Sequence, residues 1–254
     1  MAYETVGGVR LEIETIPPLR NEAATIVFLH EGLGSPGQWR DFPRRVAQAT
    51  GCGALIYARR GHGQSDALAA AREPDFMHLE ALEVLPGLLV QLGIERPVLF
   101  GQSDGASIAI IYAGHGYPAR GLIVEAPHVF VEDRSIEGIE AARRAYIESG
   151  LREKLARHHA DVDGAFWAWN DIWLHPDFRA WNIEGCLGGI RCPVLAIHGE
   201  DDGYGTVAQV DAVASKVSGE VTLLKLARCG HAAHRERFER TLEATVRFVS
   251  QLPD

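Results

Sequence analysis

Cysteine is scarce, with four residues in 254, at Cys52, Cys186, Cys192 and Cys229. None forms a C-x-x-C pair or a metal-ligand spacing, which excludes a disulfide framework or a structural zinc as the organising device; reduced thiols of a cytoplasmic protein are expected. Basic charge is also short. Against 34 acidic residues stand 25 Lys and Arg, a net charge of −9, so neither nucleic acid nor an anionic membrane is an expected partner. No apolar run reaches the length of a membrane span, and the first residues, MAYETVGGVRLEIE, lack the basic-then-apolar order of a signal peptide. Repeats and low-complexity stretches are missing too. A small-molecule substrate is the partner these absences leave, with no metal or organic cofactor implied and the oligomeric state unread.

What is present is an alternation. At 46% hydrophobic residues, the chain is rich enough in apolar side chains for one large domain. VRLEIETI alternates as a strand of a hairpin would; ATIVFLH, ALIYA, PVLFG, GLIVEA, CPVLAIHG and VTLLKLA are apolar runs suited to strands buried on both faces. Between them, Trp39, Phe42 and Val46 recur at helical spacing up to Gly51. Leu79, Leu82, Leu85, Leu89 and Leu92 mark a helix kinked at Pro86, and Phe238, Leu242, Val246 and Val249 stripe a closing one. Such alternation predicts an α/β fold, a mostly parallel sheet covered by helices on both faces.

One stretch interrupts it. From 126 to 190 no strand pattern is visible, and four of the five tryptophans sit there, Trp167, Trp169, Trp173 and Trp181. The expected organisation is a core of 1–125 and 191–254 with a helical lid of 126–190 inserted before the strand at 193–198. Trp167 and Trp169 cannot share one helical face, whereas Trp173 lies four residues beyond Trp169 and joins its side. One ring is expected to anchor the lid, and Trp169 or Trp173 to contact substrate.

Gly101-Gln102-Ser103-Asp104-Gly105 ends a buried strand and opens an Ala/Ile-rich helix. That context makes G-x-S-x-G informative: the glycines remove Cβ atoms that would collide, and the serine is held on a tight turn at a helix N-terminus. The N–H of Asp104 then points where an oxyanion would form.

The chain resembles the α/β-hydrolase superfamily over nearly its whole length. The resemblance rests on His30-Glu31-Gly32-Leu33-Gly34-Ser35, Arg60-Gly61-His62-Gly63-Gln64-Ser65, the turn at Ser103, Gly199-Glu200-Asp201-Asp202 and Gly230-His231. It implies Ser103 as nucleophile, His231 as base and an oxyanion hole drawn from Gly32, Leu33 and Asp104. His234, three residues on, is the competing histidine. Asp202 is the expected acid; Glu125, ending LIVEA, is the alternative, because some relatives, haloalkane dehalogenases among them, place the acid after that earlier strand. If it is not the acid, Glu125 is a supporting or substrate-contacting group.

Where relatives carry His-Gly, this chain has His30-Glu31. Glu31 either joins Asp104 and Glu125 near the pocket mouth, as a subsite that disfavours anions or favours a cation, or turns outward. His62 and His128 fall in loops bordering the pocket, and Glu31, His128, Trp169 and Trp173 are the substrate-binding candidates. The function implied is a serine hydrolase acting on a carboxylic ester or lactone. Hydrolysis of a C–C bond in an aromatic ring-cleavage product, an aminopeptidase resembling proline iminopeptidases, and a non-catalytic ligand receptor on the same fold are the alternatives.

Overall fold

A computed structural model describes residues 2–20 and 23–253. Strands β1 (Ala2–Val6) and β2 (Val9–Ile16) form a hairpin, turned by Gly7 and Gly8, both at positive φ. They are followed by β3 (Thr25–Leu29), α1 (Phe42–Thr50), β4 (Gly53–Tyr57), α2 (Phe76–Leu79), α3 (Leu85–Gln91), β5 (Val98–Gln102), α4 (Asp104–Gly114) and β6 (Gly121–Glu125). Then come α5 (Asp133–Glu148), α6 (Leu151–Leu155), α7 (Val162–Trp173), α8 (Glu184–Leu187), β7 (Val194–Gly199), α9 (Ala208–Lys216), β8 (Val221–Leu226), α10 (Ala233–Glu236) and α11 (Phe238–Gln251).

The eight strands make one sheet in the order β1-β2-β4-β3-β5-β6-β7-β8, parallel except for the hairpin and its pairing with β4. Successive side chains on a strand point to opposite faces, and both faces are apolar. Val27, Leu29, Leu55, Leu99 and Leu122 pack under α2, α3 and α4, while Ile26, Phe28, Ile56, Phe100 and Ile123 meet Trp39, Phe42 and Phe248 on the other side. The N-terminal ends of β3, β5, β6 and β7 are plain core; the loops that leave their C-terminal ends carry the polar groups described below.

The kink expected at Pro86 takes a particular form. Between α2 and α3, residues Glu80–Val84 make one wide π-type turn. Proline lacks the N–H that would close the preceding turn, and a wider turn absorbs the missing bond. That turn also brings the buried Glu80 onto the Tyr57 hydroxyl, which donates to Oε1 at 2.7 Å.

Helices α5–α8 lie between β6 and β7, and within 126–190 the only described β pairing is a single bridge, Phe130 to Asn182. Aromatic packing holds this segment together: Tyr146 stacks on Phe166 at 3.6 Å between ring centres, and Phe178 stacks on Trp181 at 5.3 Å. α7 begins with Asp161, whose carboxylate accepts from the Gly164 N–H at 2.8 Å. It is tied to α5 by Asn170, whose amide donates to the Ile139 carbonyl. Among the described residues no helix is long and apolar enough to cross a membrane.

Candidate active site

Ser103 joins β5 to α4 with φ 54° and ψ −120°. A non-glycine residue in that region is strained by roughly 1–3 kcal/mol, and such strain persists only where the surroundings enforce it. Here they do. The Ser103 N–H donates to the Glu125 carbonyl at 2.9 Å. A Cβ on Gly101 would fall 2.3 Å, below any real contact, from the Gly105 carbonyl oxygen, and one on Gly105 would lie 2.0 Å from that of Leu29. The two glycines let strand, turn and helix close tightly enough to hold the serine out.

His231 follows β8. Its Nδ1–H donates to both oxygens of Asp202, at 2.9 and 2.8 Å. Asp202 is fixed in turn: its Oδ1 accepts from the Tyr204 N–H at 2.8 Å, and only 3% of the residue is exposed. Gly199 permits the approach, since a Cβ there would sit 2.2 Å from the Gly230 carbonyl oxygen. Burial by itself would lower the His231 pKa, but the Asp202 charge and hydrogen bond, with Glu31 and Glu125 behind them, leave it raised above the ordinary 6.5. A general base acts only when neutral. The acid limb of kcat/KM is therefore expected to lie above 6.5, with activity rising as His231 loses its proton; a limb centred below that value, or an NMR titration of the ring there, contradicts the arrangement.

Glu125 is not on His231. Fully buried at the end of β6, it receives the His234 Nδ1–H at 2.9 Å and the His234 backbone N–H at 3.2 Å. His234 is buried against Trp39 and Phe42, in the short α10 that precedes the last helix rather than in that helix itself. Neither residue lines the cavity that Ser103 and His231 share, so Glu125 touches no substrate there.

The loop after β3 departs from expectation as well. Glu31 does not turn outward. It faces the cavity, and its Oε2 accepts the Leu33 N–H at 2.6 Å, so Leu33 has no N–H left to offer an oxyanion. Gly32 and Asp104 remain. Buried groups hold the loop: Arg59 donates to the carbonyls of His30 and Glu31, His62 Nε2 donates to that of Gly32 at 2.9 Å, and His159 Nε2 to that of Leu33 at 2.9 Å. Burial lowers the pKa of His30, His62 and His159, Arg59 adding to the effect on the first two, which keeps these rings neutral. His62 thus sits behind the pocket rather than at its border.

The cavity itself measures about 230 Å³. Glu31, Gly32, Leu33, Ser103, Asp104, His128, Trp169, Trp173 and His231 all line it. The Trp169 indole lies flat against Gly32, where an added Cβ would be 2.1 Å from Nε1. Trp167 faces elsewhere, packed on Tyr146 and Phe166. Burial holds the His128 pKa down at about 3, with His231 adding to the effect, so His128 meets a ligand as a neutral hydrogen-bonding ring; its Nδ1 has no partner among the described residues. Burial pushes the Asp104 carboxyl up, opposed by Arg59 and Arg72. Tyr204, whose ring is 4.7 Å from that of His231, Gln38 and Arg235 complete the wall. Sequence patterns had no hold on these last three, because they lie outside the motifs; His159 hides in RHHA for the same reason. Among the described residues no group of three or more His, Cys, Asp or Glu side chains is placed to hold a metal ion.

Known proteins agree on the fold. A 2-hydroxy-6-oxo-6-phenylhexa-2,4-dienoate hydrolase of Comamonas testosteroni is 22% identical, over 91% of this chain and 89% of its own. The structure of an enol-lactonase from Burkholderia xenovorans LB400 superposes with a TM-score of 0.78 at 19% identity, covering 98% of this chain and 100% of that one. A proline iminopeptidase from Mycobacterium smegmatis gives 0.73 at 19%, covering 98% of each. The model of the alpha/beta hydrolase family matches residues 26–244, and with a strained serine after β5 and a histidine after β8 in its expected order, the chain belongs to that family.

Proposed function

We propose that this protein is a serine hydrolase that cleaves a carboxylic ester or lactone through an acyl-enzyme on Ser103. The observation that carries this reading is the convergence on one cavity of a serine at φ 54° and a histidine bound to a buried carboxylate. His231 takes the Ser103 proton as Oγ bonds to the acyl carbon. The N–H groups of Gly32 and Asp104 receive the oxyanion. The bond to the leaving oxygen then breaks, and that atom takes the proton from His231. Water, deprotonated by the same ring, releases the acid and restores Ser103. Asp202 fixes the tautomer and stabilises the imidazolium.

Residues 126–190 act as a lid whose inner face, Ile139, Ala142, Trp169 and Trp173, receives the apolar acyl part. A second reading, C–C bond hydrolysis, draws support from the similarity to the Comamonas enzyme over 91% of this chain. An amine subsite finds less support, since the Glu31 carboxylate already holds the Leu33 N–H.

A panel of 4-nitrophenyl esters, lactones, a 2-hydroxy-6-oxodienoate and prolyl amides separates these readings, and a fluorophosphonate probe is expected to label Ser103. Failure to label it, with no ester or lactone turned over, overturns the proposal. Within the ester series, Trp169→Leu is expected to raise KM for bulky acyl groups about tenfold more than for acetate, because contact area of ~100 Å² or more is lost at 25 cal/mol per Å². Equal effects on small and large esters remove Trp169 from the acyl site.

A further inference from the structure

The mouth of the cavity opens onto a second cleft of about 470 Å³, and the two share Gln38, Leu151, Leu155 and Arg235 as a common wall. The charged residues lining this cleft are Arg40, Lys154, Arg157 and Arg235, with His158 among them and no carboxylate. In a chain of net charge −9, chance would put acids there. The four cations are exposed, and none of them pairs with a carboxylate among the described residues. They come from three separate parts of the chain: Arg40 after the turn at Pro36–Trp39, Lys154 and Arg157 on and after α6, and Arg235 on α10. The Arg235 guanidinium donates to the Gln38 carbonyl at 2.6 Å, which braces it across the shared wall. Their fields converge on one ring: His158 is held below the ordinary histidine value by burial, then by Arg235, Arg157 and Arg40, with no acid opposing them. Arg40 adds a sign of enforced position, a non-glycine residue at φ 56°.

Four like charges left unpaired repel one another unless an anion joins them. A single carboxylate would neutralise one; a phosphate carries about two charges and three acceptor oxygens that match guanidinium forks. The cleft also lies on a defined side of the reaction. Arg235 is four residues past His231, so the cleft adjoins the ring that protonates the leaving atom and not the Trp169–Trp173 side. Resting on the serine-hydrolase reading above, we infer that the substrate's leaving group, an alcohol or thiol, carries a phosphate that binds among Arg40, Lys154, Arg157 and Arg235.

The test compares matched butanoyl substrates with and without phosphate. One pair is short, 2-(butanoyloxy)ethyl phosphate against 2-hydroxyethyl butanoate. The other is long, butanoyl-coenzyme A against S-butanoyl-N-acetylcysteamine; which pair responds tells a small phosphorylated alcohol from a nucleotide-bearing thiol. The phosphorylated member of at least one pair is expected to be favoured about tenfold in kcat/KM, the sum of two or three exposed charge contacts. That preference should vanish in the double variant Lys154→Gln, Arg157→Gln and weaken in roughly 0.5 M salt, where screening shortens to a few ångströms. Phosphorylated and neutral members within about twofold of each other in both pairs, or a preference that survives the double variant, overturns the inference. If no ester or thioester is hydrolysed, the hydrolase reading fails by itself. Calorimetric binding of coenzyme A then decides the cleft: weaker binding by the double variant upholds it, and equal binding overturns it.

Discussion

Replacing Ser103 by alanine is expected to lower turnover by about 10⁴-fold or more while leaving the protein folded. The two halves of that statement have separate causes. Members of a nucleophile–base pair act as a unit, so without Oγ the paired His231 and Asp202 have no proton to take, and what is left is positioning and the N–H groups of Gly32 and Asp104. The fold, by contrast, asks little of the hydroxyl. Ser103 makes no side-chain cap to α4, and its unusual φ of 54° is imposed through its backbone, which alanine shares. Thermal unfolding within a degree or two of wild type, beside lost hydrolysis of the best ester in the panel, is the expected pair of measurements. A purified variant that keeps near-normal hydrolysis removes Ser103 from the mechanism.

The second expectation separates two carboxylates that look alike in the sequence. Asp202→Asn should lower kcat by roughly 10⁴-fold, because an amide in place of the acceptor favours the wrong imidazole tautomer. Glu125→Gln should leave kcat within a few-fold of wild type and instead reduce stability by about 1–3 kcal/mol, since it weakens a buried, charge-assisted contact to His234. Denaturant midpoints and kcat measured on both variants give opposite patterns. A healthy Asp202→Asn beside a dead but folded Glu125→Gln would falsify the assignment.

How far the chain could be read in advance follows from where information is local. The parallel sheet, the turn at Ser103 and the order Ser103, Asp202, His231 depend on runs and spacings within a few residues, and these are legible. Which acid meets which histidine is not local. Glu125 and Asp202 both end buried strands, and only the register of β6 beside β7, with Glu125 opposite Ile197, brings one beneath His234 and leaves the other for His231. Glu31 was unreadable for a similar reason: the motif says that a glycine is missing, but the bond from Leu33 to its carboxylate depends on a loop whose shape Arg59, His62 and His159 impose from distant segments. The basic cleft was the least visible, because net charge averages over the surface what Arg40, Arg157 and Arg235 concentrate in one place.

The buried contact between Glu125 and His234 also bears on descent. The sheet ends two neighbouring strands in carboxylates, and histidines three positions apart answer them, one facing a cavity and the other the core. An ancestor with both couples in place could transfer the working role between strands without altering the sheet: only the ring that points into the cavity has to change. The spare couple gives lineage divergence a small step where the sequence pattern suggests a large one, and an evolution experiment that starts from a crippled Asp202 variant and selects for hydrolysis should find its suppressors around α10 and the end of β6.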